Sequence, residues 1–209
     1  MNELLLLGYQ FLCVAIPALV LFAILRNCNR KRGIQPRHGK ILGLLLLAVY
    51  MTAVFRVTGA GTIYHLNQYG LKPDITQMNV FPFSDTEYDL TGNLLNIALF
   101  LPLGFLLPLL WPAWNKPIGV LLFGVAFSLL IEASQLLNIR FTDIDDVLLN
   151  SLGAVLGLLL YLVFAAASKR KQSPVIEKRW KAILFVAVMF CGNFLLFNEF
   201  GAAKLLYGF

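Results

Sequence analysis

The chain has 209 residues, of which 59% are hydrophobic and only 13% charged, with a formal net charge of +6. Soluble domains average about 45–50% apolar and about 25% charged residues, so a soluble globular domain, a disordered chain and a basic nucleic-acid-binding domain are excluded as classes. A mean hydropathy of +0.76 leaves a membrane protein.

A helix needs about 20 mostly apolar residues to cross the hydrocarbon. Six stretches qualify in chain order, at about 4–25, 41–58, 91–111, 118–137, 147–167 and 182–200. The expected fold is therefore all-α, a polytopic membrane bundle of about six transmembrane helices. The first stretch is not a cleavable signal, because it opens with Glu3 and its basic residues follow the apolar run. Three segments are expected: 1–40 with the first span and a basic loop, a four-span core at 41–167, and 168–209 with a basic linker and the last span.

Charge position sets the expected orientation. Arg26, Arg30, Lys31, Arg32, Arg37 and Lys40 lie between the first two spans, Lys116 lies in a short turn, and Lys169, Arg170, Lys171, Lys178, Arg179 and Lys181 follow the fifth. Six spans with the N-terminus outside place all thirteen on the cytoplasmic face, with Glu177 as the one acidic residue there. The other face receives four basic and nine acidic residues. The basic loops thus read as topology signals and anionic-lipid contacts, and no nucleic-acid partner is expected. Cys13 and Cys191 fall within spans and Cys28 in a basic loop, so neither a disulfide nor a thiolate metal site is expected. His38 and His65 read as lone loop histidines without a role.

Polar groups inside spans are costly, which makes them informative. Asn93 and Asn96 share a face of the third span, where Pro102 removes a backbone hydrogen bond and Gly104 follows. Glu132 and Gln135 share a face near the end of the fourth span. Beyond them come Arg140, Asp143, Asp145 and Asp146, then Asn150, Gly153 and Gly157 at helical spacing. Gly153 and Gly157 form a small-xxx-small pair suited to close helix packing. All the polar positions fall at one depth, towards the outer face, and form one candidate ligand site. Blander readings stand beside this one: Asn93 as a helix cap, Asp143 and Asp145 as a solvated turn, and Asp146 as a helix start. Glu132 either snorkels, stays protonated or has a partner, with Arg140 the nearest candidate cation and Arg56 an alternative. A connection of about 32 residues, Gly59–Leu90, shows no helix pattern and is long enough to cover the site.

These residues carry a resemblance. The run from Asn96 through Phe100 and Pro102 to Gly104 resembles the N-x-x-x-F-x-P-x-G signature of the VanZ-like membrane proteins, and Asn79-Val-Phe-Pro-Phe83 resembles the stretch preceding it. Glu132, Gln135, Arg140, Asp143, Asp145, Asp146, Asn150, Gly153 and Gly157 follow the order of that family's downstream block. The link from Gln135 to Arg140 departs from it, lacking the glycine or proline often found before the arginine. The resemblance covers residues 41–167. It implies a Gram-positive plasma-membrane protein that modulates susceptibility to teicoplanin or has a wider envelope role.

Three functions compete on the residues alone. A non-enzymatic envelope protein would use the outer polar cluster to hold a membrane lipid, a cell-wall lipid intermediate or a glycopeptide antibiotic. An interfacial enzyme would use Glu132 as general acid or base and Arg140 as a phosphate holder, but none of the familiar intramembrane catalytic sets is present. A transporter would place charge nearer the midplane. The first reading is preferred, and no cofactor is expected.

Overall fold

In hydrocarbon every backbone N–H and C=O has to be satisfied within its own segment or by a neighbour, so apolar stretches of this length become helices. The computed structural model describes residues 2–31, 39–70, 78–79, 82, 90–138, 142–168 and 178–208. Five helical segments among them are long and apolar enough to cross a membrane. They are α1 (Asn2–Lys31), a segment Lys40–Tyr69 containing α2 (Lys40–Thr58) and the short α3 (Ile63–Tyr69), α4 (Leu90–Leu110), α5 (Pro117–Gln135) and α6 (Ile144–Ala167). A sixth is reached if α7 (Trp180–Leu196) and α8 (Glu199–Tyr207) count as one bent span. The fold is an all-α polytopic membrane bundle. Its described strands are two residues each, β1 (Met78–Asn79) and β2 (Thr142–Asp143), paired in parallel with Asn79 opposite Asp143.

Contacts divide the chain into two compact units, Met1–Leu71 with Ile183–Phe209, and Lys72–Ala182. In the first, Gln10 on α1 donates from its amide to Asn193 Oδ1 on α7 at 2.9 Å, and both residues are buried. The expected sixth span is broken. The Tyr9 hydroxyl donates to the Leu196 carbonyl and accepts from the Asn198 N–H at 3.2 Å. Asn198 then caps a new helix by accepting from Gly201 N at 2.9 Å. The result is a 49° bend between α7 and α8. The Gly59–Leu90 connection also departs from expectation, because it contains α3. His65, which the sequence left without a role, caps that helix: Thr62 N–H donates to its Nδ1 at 2.9 Å, while Nε2 meets Glu199 Oε1 at 3.0 Å. His38 lies outside the described residues.

The second unit is organised by α4 and α6. A Cβ added at Gly153 would run into the Ile97 carbonyl, one at Gly157 into that of Leu101, and one at Gly104 into that of Ala154. Ile97 and Leu101 meet Gly153 and Gly157 in the same order, so the two helices run in the same direction. α5 runs back in the opposite direction, packed mainly against α6, after a tight turn whose centre is the 3-10 segment Pro112–Trp114. α4 is one continuous helix through Pro102 and Pro108. Phe100, Leu103, Leu107, Phe127, Ala154 and Leu158 fill the interior.

The glycine contact predicts a measurable asymmetry. Gly157→Val should destabilise the purified protein by about 1–3 kcal/mol through overpacking, read as a lower thermal midpoint in detergent by intrinsic fluorescence. Gly8→Ala, where a Cβ meets nothing within 4 Å, should leave the midpoint unchanged or raise it.

Candidate functional site

Helical spacing lines up two rungs of polar side chains between α5 and α6. Ser128 and Glu132 are four apart on α5, and Asp146 and Asn150 are four apart on α6. In the first rung Asn150 Nδ2 donates to Ser128 Oγ at 2.9 Å, with both side chains buried. In the second, Glu132 and Asp146 lie close enough for their carboxyl groups to interact electrostatically. α4 joins through Asn96, whose amide donates to the Asp146 carboxylate. Three helices thus meet at one cluster.

The start of α6 closes the arrangement from above. Asp143 has extended backbone (φ −122, ψ 129) and its carboxylate accepts from the Asp145 N–H at 3.0 Å, which makes Asp143 the helix cap. Its own backbone hydrogen-bonds the Glu132 carboxylate. Its pairing with Asn79 ties the connection before α4 to the same spot.

Several expectations are corrected here. Asp146 is not the helix start, since the helix opens at Ile144 and Asp146 sits inside its first turn. Asp145 is only 9% exposed, so it does not belong to a solvated turn. Asn93 is not the cap of α4, which begins three residues earlier at Leu90. It is half-buried and joins no described hydrogen bond of the cluster. Gln135 is buried at the last turn of α5. Arg140 lies outside the described residues, and Arg56 is exposed on α2 in the other unit. Ser128 escaped the sequence reading because a serine in an apolar run carries no signal of its own; its spacing of four from Glu132 was the available clue.

The unfilled valences define the chemistry. Glu132 is 4% exposed and Asn150 3%, yet Glu132 Oε2 and Asn150 Oδ1 have no hydrogen-bond partner. Among the described residues no Lys or Arg pairs with Glu132 or Asp146. No three His, Cys, Asp or Glu side chains among them assemble as a metal site. A buried polar atom left without a partner costs about 1–3 kcal/mol. Asn150 Oδ1 accepts hydrogen bonds, as does Glu132 Oε2 when the carboxylate is ionised, so a group rich in donors could complete both.

Residues 17–165 match the family described as VanZ/LLP1. The chain belongs to the VanZ/LLP1 family. The family match contains α4, α5, all but the last two residues of α6, and every residue that bonds within the cluster. Protein VanZ of Enterococcus faecium is 30% identical over 164 residues, covering 72% of this chain and 89% of that relative. No solved structure matches the chain.

The Asn96–Asp146 bond is separable from general packing by a double-mutant cycle on the purified protein. Asn96→Ala and Asp146→Ala should show a coupling of about 1–2 kcal/mol, as expected for a hydrogen bond to a carboxylate. Asn93→Ala, outside the cluster, should change stability by less than about 0.5 kcal/mol.

Proposed function

We propose that this VanZ/LLP1 membrane protein uses the α4–α5–α6 cluster to hold the polar head of an amphiphilic envelope molecule, and that it thereby lowers susceptibility to teicoplanin-type glycopeptides. The single supporting observation is the convergence of Asn96, Ser128, Glu132, Asp146 and Asn150 with two buried oxygens left open. Acceptors without partners favour a head rich in donors, such as the hydroxyl and amino groups of a sugar on a cell-wall lipid intermediate or on the antibiotic itself. Membrane lipids supply the surroundings. The thirteen-to-four division of basic residues supports a cluster on the extracytoplasmic side, and the likeness to an Enterococcus faecium protein supports a Gram-positive plasma membrane. The likeness to Protein VanZ of Enterococcus faecium supports the link to that antibiotic class. Holding a ligand requires no catalytic residue, and the reading gives Glu132 a binding role.

Expression in a susceptible Gram-positive host should raise the inhibitory concentration of teicoplanin while leaving that of vancomycin nearly unchanged. Glu132→Gln and Asn150→Leu should return it to the control value at unchanged membrane abundance, whereas Asn93→Ala should keep the effect. Variants of Glu132 and Asn150 that insert normally and still protect the host would remove the cluster from the mechanism.

A further inference from the structure

The opposite end of the α4–α5 hairpin carries a second arrangement of chemistry. Glu132 is fifteen residues along α5 from Pro117, so at about 1.5 Å per residue this end lies about 22 Å from the polar cluster. All three tryptophans of the chain belong to it: Trp111 and Trp114 at the turn and Trp180 at the start of α7. Trp111 and Trp114 are buried, and Trp180 is exposed. Trp is the residue that marks the headgroup level of a bilayer.

Arg179 is built into this turn. Its backbone carbonyl accepts from Trp114 Nε1 at 3.3 Å, and its Nε donates to the Ala113 carbonyl at 2.9 Å. The guanidinium carbon lies 5.7 Å from the Trp114 ring centroid, within cation–π range. A Cβ on Gly119 would lie 3.6 Å from Nη1, so the guanidinium extends over the first turn of α5. The two terminal amino groups make no described hydrogen bond and the residue is exposed. An arginine anchored in this way has already lost much of its rotamer freedom and presents a fixed two-donor edge, the geometry that suits a phosphate. Lys116, at the start of α5, and Lys178, beside Arg179 in sequence, are both exposed. Lys116 is the sole charged residue between Leu90 and Ile131.

We propose that Arg179, held against Trp114 and flanked by Lys116 and Lys178, forms a binding site for the phosphate of an anionic phospholipid. The exposed Trp180 marks the depth, the guanidinium edge grips the phosphate, and the lysines add attraction that depends on the lipid's net charge. The site is independent of the polar cluster at the other end of the hairpin.

The test uses the full chain reconstituted in nanodiscs of phosphatidylcholine containing graded phosphatidylglycerol, with lipid retention read by native mass spectrometry. The wild-type chain should retain phosphatidylglycerol over phosphatidylcholine. Each removed charge should weaken that preference by about fivefold, so Arg179→Gln and Lys116→Gln should both lose it in part and the double variant almost wholly. Arg179→Lys should fall between, because it keeps charge without the fork. Arg56→Gln should behave as wild type. If Arg179→Gln fails to fold, Lys116→Gln and Lys178→Gln carry the measurement, since neither lysine anchors the turn. Equal retention of the two lipids by the wild-type chain, or undiminished preference in the folded double variant, would overturn the proposal. Inorganic phosphate that displaces phosphatidylglycerol at comparable concentration would reassign the site to soluble phosphate.

Discussion

The backbone contact between α4 and α6 is the constraint on which the rest of the second unit depends. Lipid tails are as apolar as leucine side chains, so helices in a bilayer gain little by hiding apolar surface from each other. What remains is close packing and polar pairing, and close packing needs positions without a side chain. Gly153 and Gly157 meet the Ile97 and Leu101 carbonyls at such a distance that even a methyl group has no room. This contact fixes the register of two helices running in the same direction. With the register set, Asn96 on α4 falls within reach of Asp146 on α6. A substitution at these glycines is therefore a change to the polar cluster as well.

The cluster gathers carboxylates in a place where they repel one another, and the start of α6 is what makes this tolerable. Glu132, Asp143, Asp145 and Asp146 all lie at the N-terminal end of a 24-residue helix. That end presents unsatisfied N–H groups and the positive pole of the helix dipole, which stabilises nearby anions. Two of these N–H groups are engaged: that of Asp145 by the cap Asp143, and that of Asp143 by Glu132. The Asn96 amide offsets part of the charge on Asp146. Glu132 Oε2 and Asn150 Oδ1 remain outside this compensation. Buried oxygens that the fold itself leaves open are what the proposed binding role rests on.

The spans were legible because hydrocarbon thickness imposes a length. The stretch 41–58 became Lys40–Thr58, and 91–111 became Leu90–Leu110. The break between α7 and α8 was not legible, because it is set by Tyr9, 187 residues away from Leu196. Local signals also failed among the aspartates. Asp143, Asp145 and Asp146 are all competent caps, and only the extended backbone at Asp143 selects one of them. The short helix α3 was hidden because His65 fills the reciprocal capping role that glutamate or glutamine usually takes. For the site, the sequence named Asn96, Glu132, Asp146 and Asn150 by polarity and depth, but pairing partners follow from register across helices. That is why Ser128 and the Asn79–Asp143 pairing emerged only with the fold.

Depth also bears on how the cluster works. Asn96 is six residues from the start of α4, Glu132 three from the end of α5 and Asp146 two from the start of α6. At about 1.5 Å per residue, every polar group of the cluster lies within about 11 Å of a helix end. Below them Phe100, Leu103, Leu107, Phe127, Ala154 and Leu158 are packed without polar atoms in their side chains. Beyond the cluster the buried hydroxyls on α6 are Ser151, which donates to the Val147 carbonyl, and Tyr161, so a solute crossing between these helices would meet mainly apolar side chains, and the proposed head would be held near the helix ends. The apolar tail of such a molecule needs no pocket of its own. The exposed leucines of α4 and α6, among them Leu94, Leu95, Leu148 and Leu152, give it a lipid-like wall directly beside the polar cluster.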